Sequence, residues 1–513
     1  MFQTYIENPY VRENSFQTLS PETAPLPIFA EIRSLLPQPF WDGHPSEISA
    51  YWRAWELAWE NLRQPTTENG FVANYIDTAF NGHLFLWDSV FILLFGRYGH
   101  SAFDFQRTLD NFYVKQHPDG FICREIDEAD GTDCFARNDP ASTGPNVFAW
   151  AEWEHYRNFA DKERLTRVFP VLIAYHHWLR ANHTWQDGSY WTCGWGCGMD
   201  NQPRAIGQYP AAASHSHQLD EFSHGHLSWV DACCQQALSA RIILLIGAEI
   251  GREAETDDFA KELTALTSLI NDTLWDEQQA FYCDRTRDGT LLPLKTIGAY
   301  WALLAGVVPP ERVERFLSHF HDPATFCRPH QVPTLSADHA QYDPAGGYWL
   351  GGVWPPTNYM VLRGLSAQDH ADLAHKIGCN HVEFVTTVFR DTETFWENYA
   401  PERAMPGQPA KPDFVGWSGL GPIAVLFEYV FGLRPEAGAG RLIWDVRLTE
   451  EHGIQCYPFG AQGRLDLLCR ARQETTERPD VSCLSNIPVE VEIRWNGPTF
   501  RVAAGPGTGN TFS

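Results

Sequence analysis

Apolar residues recur every three or four positions over most of the chain up to Val430, in segments separated by loops rich in Gly, Pro and Trp. Tyr51, Trp52, Trp55, Leu57, Trp59 and Leu62 fall roughly at helical spacing within 45–64. An apolar helix opens at Leu86 and runs to about Tyr98, and another spans 101–116. Helices resume over 146–159. A further one starts at Asp161, an N-cap residue, and runs to about Ala181 with Pro170 as a kink. Ser228 caps the next helix, whose second half, Ile242-Ile243-Leu244-Leu245-Ile246, is apolar all round and predicts burial on every side. Its successor, 256–275, is one-sided: Phe259, Leu263, Leu266, Ile270 and Leu274 step by three or four, as an outer helix packed on an inner one would. The alternation continues through 296–305 (inner), 310–320 (outer, with proline at its start), 357–365, 367–389 and 421–430.

Short links such as Gly99-His100, Ala160-Asp161 and Ser366 alternate with long loops, and the acids, Trp and Gly concentrate in the long ones. Six such helix pairs predict a mainly α fold, an (α/α)6 barrel with one functional face; an open helical array is the alternative. After Pro435 the texture changes. Segments 442–448, 464–470, 489–495 and 500–503 alternate apolar and polar residues, which predicts a small C-terminal antiparallel β-domain packed on the barrel. The expected organisation is an irregular, Pro-rich arm over 1–44, a barrel domain over 45–435 and the sheet over 436–513.

Composition narrows the function. With 513 residues, 44% of them hydrophobic, the chain has enough for one large domain and a smaller one. A formal charge of −26 argues against nucleic acid or an anionic membrane as partner, since a phosphate backbone wants clustered Lys and Arg. The 20 Trp suit a carbohydrate, whose apolar ring faces stack on flat side chains, although most Trp in any chain are core residues. The 12 Cys are scattered, the start Met1-Phe2-Gln3-Thr4 lacks a charged and then apolar leader, and no apolar run reads as a membrane span. These features predict a cytoplasmic protein with reduced thiols. Oligomeric state is left open. Cys193-x3-Cys197 has no second pair at zinc-ribbon spacing, so no structural metal is expected.

The chemistry centres on Gly198-Met199-Asp200-Asn201-Gln202-Pro203-Arg204, which follows a Trp-, Gly- and Cys-rich run beginning at Tyr190. Gly and Pro punctuate this stretch, so it reads as a rigid, aromatic-lined loop carrying one carboxylate. A second carboxylate, Glu397, lies in Phe395-Trp396-Glu397-Asn398-Tyr399-Ala400-Pro401. Glycoside hydrolysis wants two carboxyl groups. One is kept protonated near neutrality by burial beside apolar rings, and the other is ionised. Asp200 is the expected proton donor and Glu397 its partner. A separation of about 6.5–9.5 Å would imply inversion and about 5–5.5 Å retention. Water is the nucleophile, so no cofactor is needed.

Five segments carry a family resemblance. Leu86-Trp87-Asp88-Ser89-Val90-Phe91, the Asp200 segment, Tyr348-Trp349-Leu350-Gly351-Gly352-Val353-Trp354-Pro355-Pro356-Thr357-Asn358-Tyr359, Trp396-Glu397-Asn398-Tyr399-Ala400-Pro401 and Gly416-Trp417-Ser418-Gly419-Leu420-Gly421-Pro422 resemble the signature segments of glycoside hydrolase family 63 and its trehalase relatives. The mannosylglycerate and glucosylglycerate hydrolases belong to that group. The resemblance covers about residues 70–432, in the right order. It implies an (α/α)6 barrel and an inverting mechanism, with Asp200 as general acid and Glu397 as the base that activates water. It further implies that Trp87, Asp88, Asn201, Arg204, Trp354 and Asn358 line the pocket for the non-reducing-end sugar, with Trp349 as a wall. Trp396, Tyr399 and Trp417 complete the expected substrate-binding set, and Arg124 and Glu125 either join it or pair with each other. Two departures stand out. Where the family segment reads Tyr-Trp-Arg-Gly-Pro, this chain has Leu350 for the Arg and Gly352 for the Pro, which bears on a carboxylate-bearing leaving group. The β-domain also follows the barrel, whereas larger family members carry theirs before it.

The expected activity is therefore that of an exo-acting, inverting α-glycosidase on a small α-glucoside or α-mannoside. The rivals are a sugar epimerase or phosphorylase on the same barrel, and a non-catalytic carbohydrate-binding protein. An epimerase would want His acid/base residues, and a phosphorylase a phosphate cradle. His215-Ser216-His217-Gln218-Leu219-Asp220-Glu221-Phe222-Ser223-His224-Gly225-His226 is a competing cluster, read as a solvated or capping loop rather than a transition-metal site.

Overall fold

A computed structural model describes residues 6–78, 81–204, 223–506 and 510–511. The body is mainly helical, with a C-terminal sheet region. Its outer and inner helices alternate along the chain: α1 (Pro45–Glu60, outer), α2 (Leu86–Gly96, inner), α3 (Asp110–Tyr113, outer, continuing a 3-10 turn over Phe105–Leu109), α4 (Phe148–Phe159, inner) and α5 (Lys162–Asn182, outer). Then come α6 (Val230–Ile250, inner), α7 (Asp257–Thr273, outer), α8 (Trp301–Ala305, inner), α9 (Pro310–Leu317, outer), α10 (Pro355–Ala367, inner) and α11 (Ala371–Thr392, outer). The last inner element is a 3-10 turn, Trp417–Leu420, running into a π-helix, Gly421–Val430. Contacts run from α2 to α4, α6, α8 and α10 and on to this last element, which packs back on α2, so the inner helices form a closed circuit.

Local chemistry explains most boundaries. Asp161 caps α5 as expected, its side chain accepting the Arg164 N–H at 2.9 Å. The expected helix over 101–116 is reduced to α3 and its 3-10 turn, and the following His117-Pro118 disfavours a helical continuation. Ser228 does not cap α6. The helix begins at Val230 with no side-chain cap, and the Ser228 hydroxyl meets Ser189 at 2.7 Å instead. Nor is the second half of α6 buried all round. Leu245 is 41% exposed, because the last turns of this inner helix pass the rim of a cavity that Leu245 lines. By length and hydropathy α6 would reach across a bilayer, contrary to the expectation that no run would. Its most apolar window is 67% buried by neighbouring helices, as in a core helix.

The sheet region has more strands than the alternation pattern predicts. One sheet runs β1 (Gln38–Trp41), β4 (His452–Phe459), β5 (Gly463–Cys469), β6 (Val481–Ser485), β9 (Asn510–Thr511), all antiparallel. The other runs β8 (Gly497–Ala504), β7 (Val489–Trp495), β3 (Arg441–Asp445), β2 (Leu433–Glu436). Here the antiparallel expectation fails at one pair: β7 lies parallel to β3, Glu490 opposite Arg441 and Arg494 opposite Asp445. The chain crosses to the first sheet for β4 to β6 before returning, and so long a crossover lets the strands run the same way. β4 escaped notice because a register shift between Ile454 and Tyr457, with Cys456 at φ 57°, breaks its period of two. Strand β1 comes from the N-terminal arm and pairs with β4, tying that arm to the C-terminal region.

Candidate active site

The loops that precede the inner helices converge on a cavity of about 220 Å³ at the N-terminal ends of those helices. Asp200 and Glu397 both line it, with Trp87, Asp88, Arg124, Glu125, Trp349, Trp354 and Trp417. The remaining predicted contacts stand behind this wall. Asn201 clamps two loops together: its amide donates to the Gly347 carbonyl at 3.0 Å and its oxygen accepts the Trp349 N–H at 2.9 Å. Asn358 holds the backbone of Val332 through both its N–H and its carbonyl. Trp396 bonds Thr392 through its indole N–H at 3.2 Å, and Tyr399 exchanges backbone hydrogen bonds with Val353. Arg204 is 3% exposed and forks onto two carboxylates, Asp231 at 2.5 Å and Asp284 at 2.6 Å, beneath the Trp229 ring. These five build the frame that holds the lining residues.

The Asp200 loop follows from its sequence. Cys193 caps the single helical turn Gly194–Cys197 by accepting the Gly196 N–H on its sulfur. The turn ends at Gly198, whose φ of +76° suits glycine and where a Cβ would sit 2.9 Å from the Trp87 ring. Asp200 therefore emerges beside Trp87. Opposite, Gly346 and Gly347 lead into Tyr348, a non-glycine residue at φ 65°. Such a conformation costs of order 1–3 kcal/mol and gathers at functional sites. Here it sets the Tyr348 hydroxyl 3.2 Å from Oε1 of Glu397. Trp349 and Trp354 stack at 3.7 Å to form one flat wall.

Glu397 is 2% exposed and fixed on all sides. Its Oε2 accepts the Lys411 N–H at 3.3 Å, and its carbonyl accepts the Trp417 indole N–H at 2.9 Å. Burial pushes the carboxyl above the ordinary glutamate range, against the opposing pull of Lys411 and Tyr348. Burial also pushes Asp88 well above the ordinary aspartate range, with the Glu397 charge adding to it. The Tyr348 hydroxyl is raised by burial and by Asp200 and Glu397, so it stays a protonated donor.

Arg124 and Glu125 pair with each other, Arg124 Nη2 lying 3.0 Å from Glu125 Oε2, and also line the cavity. The Arg124 guanidinium is held between Phe135 and Trp195, and Glu125 Oε1 meets His83 at 2.6 Å. His83, Glu125 and Cys134 have ligand atoms within 4.8 Å of one another, yet Glu125 is already engaged by His83 and Arg124. Residues 215–222 of the His-rich stretch lie outside the described residues; His224 and His226 pack against Trp185. The sequence reading missed Tyr348 and Lys411 as lining residues. The Gly346-Gly347 pair was the available signal for Tyr348. Nothing local marks Lys411, which only the return of the loop after Glu397 brings back.

Comparison with known proteins finds glycoside hydrolases. The family described as "Mannosylglycerate hydrolase MGH1-like glycoside hydrolase domain" matches residues 82–418. The chain is 24% identical to the mannosylglycerate hydrolase of Thermus thermophilus over 393 residues, 65% of this chain and 91% of that one. The structure of a GH63 mannosylglycerate hydrolase from Thermus thermophilus in complex with glucose superposes with a TM-score of 0.58 at 19% identity, covering 74% of this chain and 99% of that one. A GH78 family rhamnosidase of a Bacillus species reaches 0.61 at 14% identity over 90% of this chain and 42% of that one, a likeness of fold alone.

Proposed function

We propose that this chain, which belongs to the mannosylglycerate hydrolase MGH1-like glycoside hydrolases and is a glycoside hydrolase, is an exo-acting, inverting α-glycosidase on an (α/α)6 barrel. One observation carries the reading: two carboxylates remote in sequence, Asp200 and Glu397, line a single Trp-walled cavity. Asp200 protonates the glycosidic oxygen. Glu397, steered by Tyr348 and Lys411, takes a proton from water as the water attacks the anomeric carbon from the opposite face. The buried indole N–H of Trp87 has no partner among the described residues and is a donor for a sugar hydroxyl.

The substrate is a small α-mannoside or α-glucoside. The similar proteins support this class: one relative is named for mannosylglycerate, and a solved structure of a GH63 mannosylglycerate hydrolase holds glucose. The lining sharpens the leaving group. Among the described residues it carries four acids, Asp88, Glu125, Asp200 and Glu397, against two cations, Arg124 and Lys411. Arg124 is engaged by Glu125, and Leu350 replaces the family's Arg. A neutral, hydroxyl-bearing leaving group fits better than a carboxylate.

The deciding experiment is hydrolysis of matched α-glucosides and α-mannosides of glycerol and of glycerate, with the first-formed anomer read by proton NMR. Release of the β-anomer, fastest from the glycerol compounds, supports the proposal. An α-anomer would overturn inversion, and preference for the glycerate compounds would overturn the neutral leaving group.

A further inference from the structure

A second cavity, of about 320 Å³, lies toward the other end of the inner helices, between α4, α6, α8 and α10 and the β7–β3–β2 face. Six guanidiniums line it: Arg157 from α4, Arg241 from α6, Arg363 from α10, Arg434 from β2, Arg441 from β3 and Arg494 from β7. Among the described residues two acids join them, Glu154 and Glu436. In a chain with 38 basic and 64 acidic residues, such a gathering of one sign runs against the composition.

The geometry is built in rather than accidental. Trp150, Trp153, Glu154 and Arg157 repeat at i, i+3, i+4 and i+7 along α4, and Leu238, Arg241, Ile242 and Leu245 do the same along α6. Both helices thus turn one whole stripe to the cavity. Arg434 with Glu436, and Arg441 with Ile443, are alternate residues on their strands and share one face.

The neighbouring carboxylates are oversubscribed. Glu154 is shared by Arg97 at 3.0 Å, Arg157 at 3.4 Å and Arg363. Glu492 is shared by Arg441 at 3.3 Å, Arg494 at 2.7 Å and Arg501 at 3.1 Å. Asp445 divides itself between Arg434 at 3.4 Å and Arg447 at 2.9 Å. Arg241 donates to the Ala305 carbonyl at 3.3 Å, and no carboxylate pairs with it among the described residues. The buried Nε atoms of Arg363 and Arg434 likewise lack a hydrogen-bond partner among the described residues. Counting also Glu428, Glu436, Glu490 and Asp372, which pair with Arg97 and Arg363, Arg441, Arg501 and Arg447, seven carboxylates meet nine guanidiniums among the described residues, so internal pairing leaves positive charge and donors over, and buried donors without partners are costly.

We propose that this cavity binds a phosphate-bearing small molecule. A phosphate dianion offers several acceptor oxygens to guanidinium forks and supplies the charge the local acids do not. The volume admits a body of sugar-phosphate size, and the Trp150, Trp153, Leu238 and Ile242 side gives its uncharged part an apolar wall. The site is remote from the acids of the catalytic cavity and does not depend on the assignment of Asp200 or Glu397.

The test is calorimetric titration of the full-length protein with glucose 6-phosphate, inorganic phosphate and glucose, at an ionic strength held constant with sodium chloride. Saturable binding of glucose 6-phosphate is expected, weakened at least about tenfold in the double variant Arg241→Gln/Arg494→Gln. Both positions lie at the more open side of the cavity. Absence of saturable binding by either phosphate, or binding unchanged in the variant, would overturn the proposal. Hydrogen exchange reads the same question without a variant. Glucose 6-phosphate should protect β2, β3 and β7; protection confined to the loops at 195–200 and 348–354 would place the ligand in the catalytic cavity and refute the site.

Discussion

The two ends of the inner helices handle charge in opposite proportions. At the catalytic end one guanidinium serves two carboxylates, Arg204 between Asp231 and Asp284. At the far end one carboxylate serves three guanidiniums, Glu154 among Arg97, Arg157 and Arg363. A buried ion is tolerated only when paired, so in each place the scarce partner holds the cluster together. The difference shows what each end spares. Around Asp200 and Glu397 the acids are in excess, and the chemistry uses acids. Around Arg363 and Arg434 the cations are in excess, and nothing in the proposed hydrolysis uses them.

The largest effects should fall on the scarce partners. Arg204→Ala leaves Asp231 and Asp284 buried without a counter-charge, and Glu154→Gln leaves the buried Arg97 and Arg363 guanidiniums to share Glu428 alone. The first should cost about 3–5 kcal/mol of stability and the second about 2–3 kcal/mol, read from urea denaturation. A loss below about 1 kcal/mol in either would break the comparison at that end. Arg204→Ala has a second use. Loss of stability with kcat preserved in the folded fraction would confirm a framing role, whereas a raised KM in a stable protein would return Arg204 to the sugar pocket.

Next come the two acids of the proposed mechanism. Asp200→Asn and Glu397→Gln should each lower turnover by at least about 10²-fold, with melting temperature little changed. Near-wild-type turnover in either variant would remove that residue from the mechanism.

Much of this was legible in the chain, and the reasons differ by region. The helix pairs show because their apolar stripes have the period of 3.6, and the acids show because Gly, Pro and Trp around Asp200 and Glu397 mark loops rather than packed surface. Asn201, Arg204, Asn358, Trp396 and Tyr399 sit in the same signature segments yet point to the frame. A motif marks a neighbourhood, and sequence does not say which side of the wall a side chain takes. The arginine cavity was not legible at all. Its six residues are scattered from Arg157 to Arg494 on six elements, and each alone reads as an ordinary surface cation.

The pH profile probes the acid-rich end more finely. Glu397 must be ionised to activate water, and burial raises its pKa above the ordinary glutamate range. The acidic limb of kcat/KM should therefore lie higher than a solvated glutamate would place it. The Tyr348 hydroxyl opposes that rise by donating to Oε1 at 3.2 Å. Tyr348→Phe removes a donor to the charged form, so the folded pKa climbs further and the limb moves to higher pH. Turnover at neutral pH should drop about tenfold or less, in keeping with one hydrogen bond to a charged group. An unmoved limb would show that Tyr348 positions substrate rather than the base.

The smallest effects should come from single arginines at the far end. Arg157→Gln leaves Glu154 with Arg97 and Arg363, and Arg494→Gln leaves Glu492 with Arg441 and Arg501. The Arg494 side chain is 44% exposed, so solvent already screens its pairing. Each change should cost less than about 1 kcal/mol, several-fold below Glu154→Gln, because the acid it leaves behind stays paired. That asymmetry is the quantitative content of a cation surplus. If removing Arg157 costs as much as removing Glu154, every guanidinium there is an indispensable internal partner, and no positive charge is left over for a ligand.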